Sequence, residues 1–185
     1  MLARARTEWE RRQFDAAEQS LANVLALAPH DPDAIRMLGM VAQRRGDQVK
    51  AIDCFRQVLA VWPEDSDLRV WLGIVLYEHG ETHEAVTHLR DACRLEPASV
   101  PAWFNLGEAL AREAYSEEAV AALQRALELD PSHIPARLSL ARTQANLGQV
   151  DAAVAAFCAV VRRDPGNEEG WFGLSNLNTV RFDAE

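Results

Sequence analysis

The chain has 185 residues, 49% of them hydrophobic and 25% charged, a balance that excludes a disordered polymer and suits one to one and a half soluble domains. No apolar run approaches the roughly 18 residues of a membrane span; the longest, 152–161, is ten residues and rich in alanine. Lys and Arg number 19 against 28 Asp and Glu, a net charge of −9 with no basic run, which argues against nucleic acid and against a membrane surface as partners.

The opening, MLARARTEWERR, has no apolar core behind its arginines and does not read as a secretory signal. The three cysteines, Cys54, Cys93 and Cys158, lie 39 and 65 residues apart. An odd number of scattered thiols suits a reducing compartment, so a cytoplasmic location is expected. Charge is uneven: residues 1–65 carry net −1 and 66–185 net −8.

A period of 34 residues organises the rest. Pro29, Pro63, Pro97, Pro131 and Pro165 keep it, and a fixed period of this size signals stacked repeats. The first unit, about 1–31, lacks its opening residues. Whole units follow at 32–65, 66–99, 100–133 and 134–167, and 168–185 begins a sixth. Gly46, Gly80, Ala114 and Gly148 divide each whole unit into two helices, because glycine suits a helix end better than a helix interior. The proline then stops the second helix, since it lacks the amide that the ladder needs.

Other columns keep the same step. Leu38, Leu72, Leu106, Leu140 and Leu174 form one; Gly39, Gly73, Gly107, Ala141 and Ser175 follow it; Ala17, Ala51, Ala85, Ala119 and Ala153 form a third. Leu21, Phe55, Leu89, Leu123 and Phe157 are the large residues four positions after the alanines, and Val24, Val58, Ala92, Ala126 and Val160 come three further on. Spacings of one, three, four and seven put these residues on one buried stripe per helix. A helix pair cannot bury its own stripe. The expectation is a single all-α domain over 1–185, a right-handed solenoid of antiparallel helix pairs with a concave and a convex side.

This pattern resembles the tetratricopeptide repeat. Residues 100–133 carry its signature most fully, with Trp103, Leu106, Gly107, Leu110, Ala119, Leu123, Ala126 and Pro131. Arg69 and Arg137 stand where Trp103 and Trp171 stand in their units, and Gln144 fills a usually apolar place. These departures are expected to weaken individual contacts and not the fold.

No catalytic, metal or cofactor site is expected. The chain has no Gly-rich phosphate loop, G-x-S-x-G, H-E-x-x-H or C-x-x-C. His79 and His83 are four apart, but Gly80 between them places them in a turn and not on one helix face. The cysteines fall on second helices, where they serve as small apolar side chains. Glu117–Glu118 and Glu168–Glu169 begin helices, where negative charge suits the dipole.

The resemblance implies that the first helix of each pair lines the concave groove. The side of that helix away from the core columns carries Arg36, Met37, Met40, Gln43 and Arg44 in one unit and Val70, Trp71, Ile74, Tyr77 and Glu78 in the next. Phe104, Asn105, Glu108 and Arg112 follow, then Leu138, Ser139, Arg142 and Asn146, with Trp9 at the rim. Aromatic, Met and Arg side chains in one strip are residue types that anchor interfaces. The expected ligand is a peptide or protein segment, oriented by Arg36, Arg44, Arg112 and Arg142. The lysine and asparagine clamp that some repeats of this family use is not expected, because Lys50 is the only lysine and falls on a second helix. Asn105 resembles one rung of the asparagine ladder that others use, while Met37, Trp71 and Ser139 hold the matching places.

The tail presents Trp171, Phe172, Leu174 and Leu177 on a first helix whose covering helix is missing, although solenoid ends normally turn a polar face outward. Either the sequence continues in a longer protein or this end docks on another chain. Trp171, Leu174, Asn176, Leu177, Thr179, Arg181 and Phe182 resemble the last repeat of bacterial proteins in which such repeats precede a sulfotransferase domain; Ser175 and Asn178 depart from that pattern. This second resemblance implies a parent protein that transfers sulfate from the phosphoadenosine donor. The expected function is a non-catalytic scaffold, the substrate-recruiting N-terminal region of such a protein. The alternative is a structural module that dimerises through its apolar end helices.

Overall fold

Helix after helix of near-uniform length follows the 34-residue period in a computed structural model that describes the backbone of residues 1–182 and the side chains of 1–177. Eleven α-helices occur among the described residues: α1 (Leu2–Glu10), α2 (Phe14–Leu27), α3 (Pro32–Arg45), α4 (Gln48–Val61), α5 (Ser66–His79), α6 (Thr82–Leu95), α7 (Val100–Arg112), α8 (Ser116–Leu129), α9 (Ile134–Asn146), α10 (Val150–Arg163) and α11 (Glu168–Phe182). No strand occurs among them. The chain forms two compact units, Met1–Leu95 and Glu96–Glu185. Within each, helices consecutive in sequence pack as neighbours. The short connections make these neighbours antiparallel. The side chains of Thr179, Arg181 and Phe182, part of the tail resemblance, lie outside those described.

Helix boundaries have local causes. Asp31, Asp47 and Asp65 accept the backbone N–H groups of Ala34, Lys50 and Leu68 through their carboxylates. Ser99 and the His133 Nδ1 accept those of Ala102 and Ala136. Each cap satisfies a donor that the first turn would leave orphaned. At the break inside each pair, Gly46, Gly80 and Gly148 take φ of 80°, 98° and 72°. Arg12 and Ala114 occupy the same column with φ of 58° and 64°, a left-handed backbone that costs a non-glycine residue about 1–2 kcal/mol. The break therefore depends on the connection itself, and glycine only makes it cheaper.

The position where Trp and Arg alternate has one task. Trp103 and Trp171 donate their indole N–H to the carbonyls of Pro97 and Pro165, both at 3.0 Å. Arg69 donates to the carbonyl of Pro63 from Nε at 3.0 Å and from a terminal nitrogen at 2.7 Å, and Arg137 donates to that of Pro131. The arginines thus preserve the contact they were expected to weaken. Arg69 adds an ion pair with Asp91 on α6 at 2.9 Å.

The five alanines of the 17/51/85/119/153 column are fully buried. The glycine column explains how closely the pairs approach. A Cβ on Gly39, Gly73 or Gly107 would sit 2.6, 2.6 or 2.5 Å from Phe55, Leu89 or Leu123 respectively, inside any van der Waals contact. Cys54 and Cys93 are buried, and loss of solvation pushes their thiols up to about 11 and about 12, which leaves them unreactive near neutrality. Gln144 is also buried, and its carbonyl oxygen has no hydrogen-bond partner. His79 ends α5 and His83 lies in the first turn of α6. No helix among the described residues is long and apolar enough to cross a membrane.

Candidate functional site

In the first unit, α1, α3 and α5 each contribute to one hollow of about 260 Å³. Trp9 comes from α1, Met37 and Met40 from α3, and Trp71 from α5, with Arg6, Glu10 and Arg36 at the edge. Met37 and Met40 are one turn apart and share a helix face. Trp71 is held from beneath by the fully buried Phe55 of α4, their ring centroids 6.1 Å apart and the rings tilted by 41°. Trp9 and Met37 pack partly on the core of Ala5, Leu21 and Val41, so the apolar floor is fixed by the interior.

Two further hollows adjoin this one through shared residues. One, of about 250 Å³, lies among Leu2, Ala3, Arg6, Asp33, Arg36 and Met37. The other, of about 390 Å³, lies among Trp9, Glu10, Arg12, Phe14 and Arg44. The guanidinium of Arg36 pairs with Asp33 at 2.9 Å and lies 6.0 Å from the ring centroid of Trp62. Arg6, Arg12 and Arg44 form no hydrogen bond or ion pair among the described side chains. Three other cations of this unit are engaged: Arg45 with Glu18 at 2.8 Å, Lys50 with Glu18 at 2.5 Å, and Arg56 with Glu84 at 2.9 Å. Lys50 does lie on a second helix, and its partner is internal.

Several expected groove residues fall elsewhere. Val70 and Leu138 are only 5% and 6% exposed, so neither presents a surface for a ligand. Both belong to first helices buried on more than one side. The interior residues of α5 include Leu68, Val70, Leu72, Gly73, Val75 and Leu76, and those of α9 include Leu138, Ser139, Leu140, Ala141 and Thr143. Burial that wraps a helix leaves no clean outer face. Leu138 packs with Phe157, Val160 and Leu177. Ile74 and Tyr77 on α5 are half-buried and line none of the three hollows.

Several polar groups of the second unit are engaged internally. Phe104 packs against the His133 ring, with centroids 4.9 Å apart. The side-chain amide of Asn105 donates to the Pro101 carbonyl at 2.7 Å, so this rung is occupied by its own helix. Arg142 pairs with Glu108 of α7 at 3.6 Å and with Glu169 of α11, and donates to the Ser139 hydroxyl at 2.9 Å. Arg112 is exposed at the end of α7. Among the described residues, unpaired guanidinium groups and an apolar hollow meet in the first unit, at Arg6, Arg12 and Arg44.

Sequence reasoning missed Arg6, Glu10 and Arg12 and placed Trp9 only at a rim. A signal for most of them was present. One period back from Arg36, Met37, Met40, Gln43 and Arg44 stand Leu2, Ala3, Arg6, Trp9 and Glu10, and all five line the hollows. Residues 1–31 obey the same column rule as the later units.

Comparison with known proteins gives concordant results. Models of the tetratricopeptide repeat match residues 2–65, 36–100 and 72–134, and a further one matches 116–176. Among solved structures, MamA from Desulfovibrio magneticus RS-1 superposes with a TM-score of 0.83 at 22% identity, covering 89% of this chain and 93% of that one. YrrB, described as a TPR protein with an unusual peptide-binding site, superposes with a TM-score of 0.80 at 23% identity, covering 91% and 87%. The Thermobaculum terrenum O-GlcNAc transferase superposes with a TM-score of 0.67 at 28% identity over 71% of this chain but only 26% of its own. No curated protein sequence matches the chain. At these identities the likeness is one of fold.

Proposed function

We propose that this chain, which belongs to the tetratricopeptide repeat family, is a non-catalytic scaffold that holds a peptide or protein segment against the face formed by its first helices. One observation carries the reading. Trp9, Met37, Met40 and Trp71, drawn from three separate helices, enclose a single hollow that stays open to solvent. Apolar surface of this kind favours a partner that removes it from water. Tryptophan supplies a large rigid contact, and methionine adapts to varied shapes. The peptide-binding description of YrrB, a protein of the same fold, supports a peptide as the class of ligand.

Panning a random peptide library on the full chain tests the reading. Enriched peptides should lose at least about tenfold in affinity on the Met40→Ala/Trp71→Ala double variant, with the far-ultraviolet helical signal unchanged. Equal affinity for the variant would remove the hollow from the account.

A second reading has its own observation. Trp171 and Phe172 on α11 are 54% and 68% exposed, which favours self-association through this end. A dimer in sedimentation that Phe172→Glu converts to monomer would support it. The tail residues Trp171, Leu174, Asn176 and Leu177 also support a placement next to a sulfotransferase domain in a cytoplasmic parent protein. A downstream reading frame without such a domain would dismiss that placement.

A further inference from the structure

We propose that the first-helix face of the first unit selects acidic segments, in which one apolar anchor is flanked on both sides by carboxylates. The inference rests on the peptide-scaffold reading above and adds to it the chemistry of the partner.

The central hollow of about 260 Å³ is smaller than a typical small-molecule pocket and suits one large apolar side chain. Its floor is Trp9, Met37, Met40 and Trp71. Beyond one end lie Arg6 and Arg36, and beyond the other Arg12 and Arg44. Three of these four guanidinium groups have no partner among the described side chains, whereas Arg45 at the end of α3 and Lys50 and Arg56 on α4 are paired.

The local charge runs against that of the molecule. The chain as a whole carries net −9. The carboxylates lining the three hollows are Glu10 and Asp33, against four arginines. Glu78, at the end of α5, lines none of them. A positive strip on a negative protein repels basic and recruits acidic segments, and so acts on specificity as well as on affinity. Guanidinium groups also bind carboxylates in a bidentate fork, which fixes the position of the bound chain.

The spacing sets the length of the recognised motif. Arg36 and Arg44 are eight residues apart on α3, a rise of about 12 Å. An extended peptide advances about 3.3 Å per residue, so its two carboxylates would stand about four positions apart with the anchor between them.

The test pans a random library of roughly twelve-residue peptides on the full chain and reads the charge of what is selected. The expected clones are net negative, with a Leu, Phe or Trp between acidic residues. A synthetic representative should bind Arg6→Glu/Arg44→Glu at least about tenfold more weakly than the parent chain. It should also weaken about tenfold between about 0.05 M and about 0.5 M salt. Arg6→Gln/Arg44→Gln, which removes charge without reversing it, gives a smaller loss in the same direction. Both arginines are exposed, and an unchanged thermal midpoint would confirm folding.

Neutral or basic clones that still require Trp71 would overturn this inference and leave the scaffold reading standing. Acidic clones indifferent to both arginine variants would overturn it as well. A second copy of the chain as occupant, seen as a dimer that Arg6→Glu/Arg44→Glu dissolves, would also overturn it. Absence of any enriched peptide would end both readings together.

Discussion

Arg69 and Trp103 differ in charge, shape and size, yet each donates to the carbonyl of the proline six residues before it. Either residue type makes the contact, and Ile35, which fills the same place in residues 32–65, folds without a side-chain donor there. Arg69→Trp, which keeps a donor and gives up only the Asp91 ion pair, should change stability by less than about 1 kcal/mol, while Arg69→Ala, which removes both contacts and leaves Asp91 with Arg94 alone, should cost about 1–3 kcal/mol in denaturant unfolding. Ala114 shows the opposite case, a residue tolerated where another fits better. Its φ of 64° predicts that Ala114→Gly raises the unfolding free energy by about 1 kcal/mol. His88 supplies a pH dependence. It is half-buried on α6, its Nδ1 has no partner, and Glu84, Arg69 and Asp91 surround it. Burial lowers its pKa below the ordinary 6.5, so the unfolded chain binds this proton more readily than the folded one. Stability should then fall as pH drops below about 6.5, and His88→Leu should flatten that part of a pH series of thermal midpoints. A further loss should begin near pH 4.5 and continue below it. Glu8, held down by the Ser20 hydroxyl and Arg4, and Glu84, held down by Arg56, both contribute stability that is complete above that point.

The helices were legible because the repeat gives each one several independent signals. For α7 these are the signature residues Trp103, Leu106, Gly107 and Leu110 and the prolines Pro97 and Pro131 that keep the period around it. Gly107 was readable as a close approach, and the structure assigns its neighbour as Leu123. Gly107→Ala should gain helix propensity but overpack Leu123, a net loss of about 1–2 kcal/mol, measurable as a lower urea midpoint. The outer faces were less legible. A period assigns a residue to a column, but not how many neighbours its helix will meet. Val70 and Leu138 share a column with Arg36 and Phe104, yet both are interior because α5 and α9 are buried on several sides. The same limit hid the fate of Asn105, whose amide turns back onto its own helix.

Across the whole molecule, the sequence carried the fold class and the absence of recognisable catalytic motifs, but not which part of the chain would offer a binding face. Arginines recur on the first helices of both units. Their pairing differs residue by residue: Arg142 meets Glu108 and Glu169 and Arg36 meets Asp33, whereas among the described side chains Arg6 and Arg44 meet no carboxylate. Ion pairs between elements distant in sequence depend on rotamers that a column cannot supply. The most direct test of the account exploits the five tryptophans, Trp9, Trp62, Trp71, Trp103 and Trp171, each with one indole N–H that nuclear magnetic resonance resolves in a nitrogen-15-labelled chain. Titration with a selected peptide should shift the Trp9 and Trp71 signals and leave Trp103 and Trp171 in place. Movement of Trp103 or Trp171, with Trp9 and Trp71 unperturbed, would contradict the placement of the binding face on the first unit.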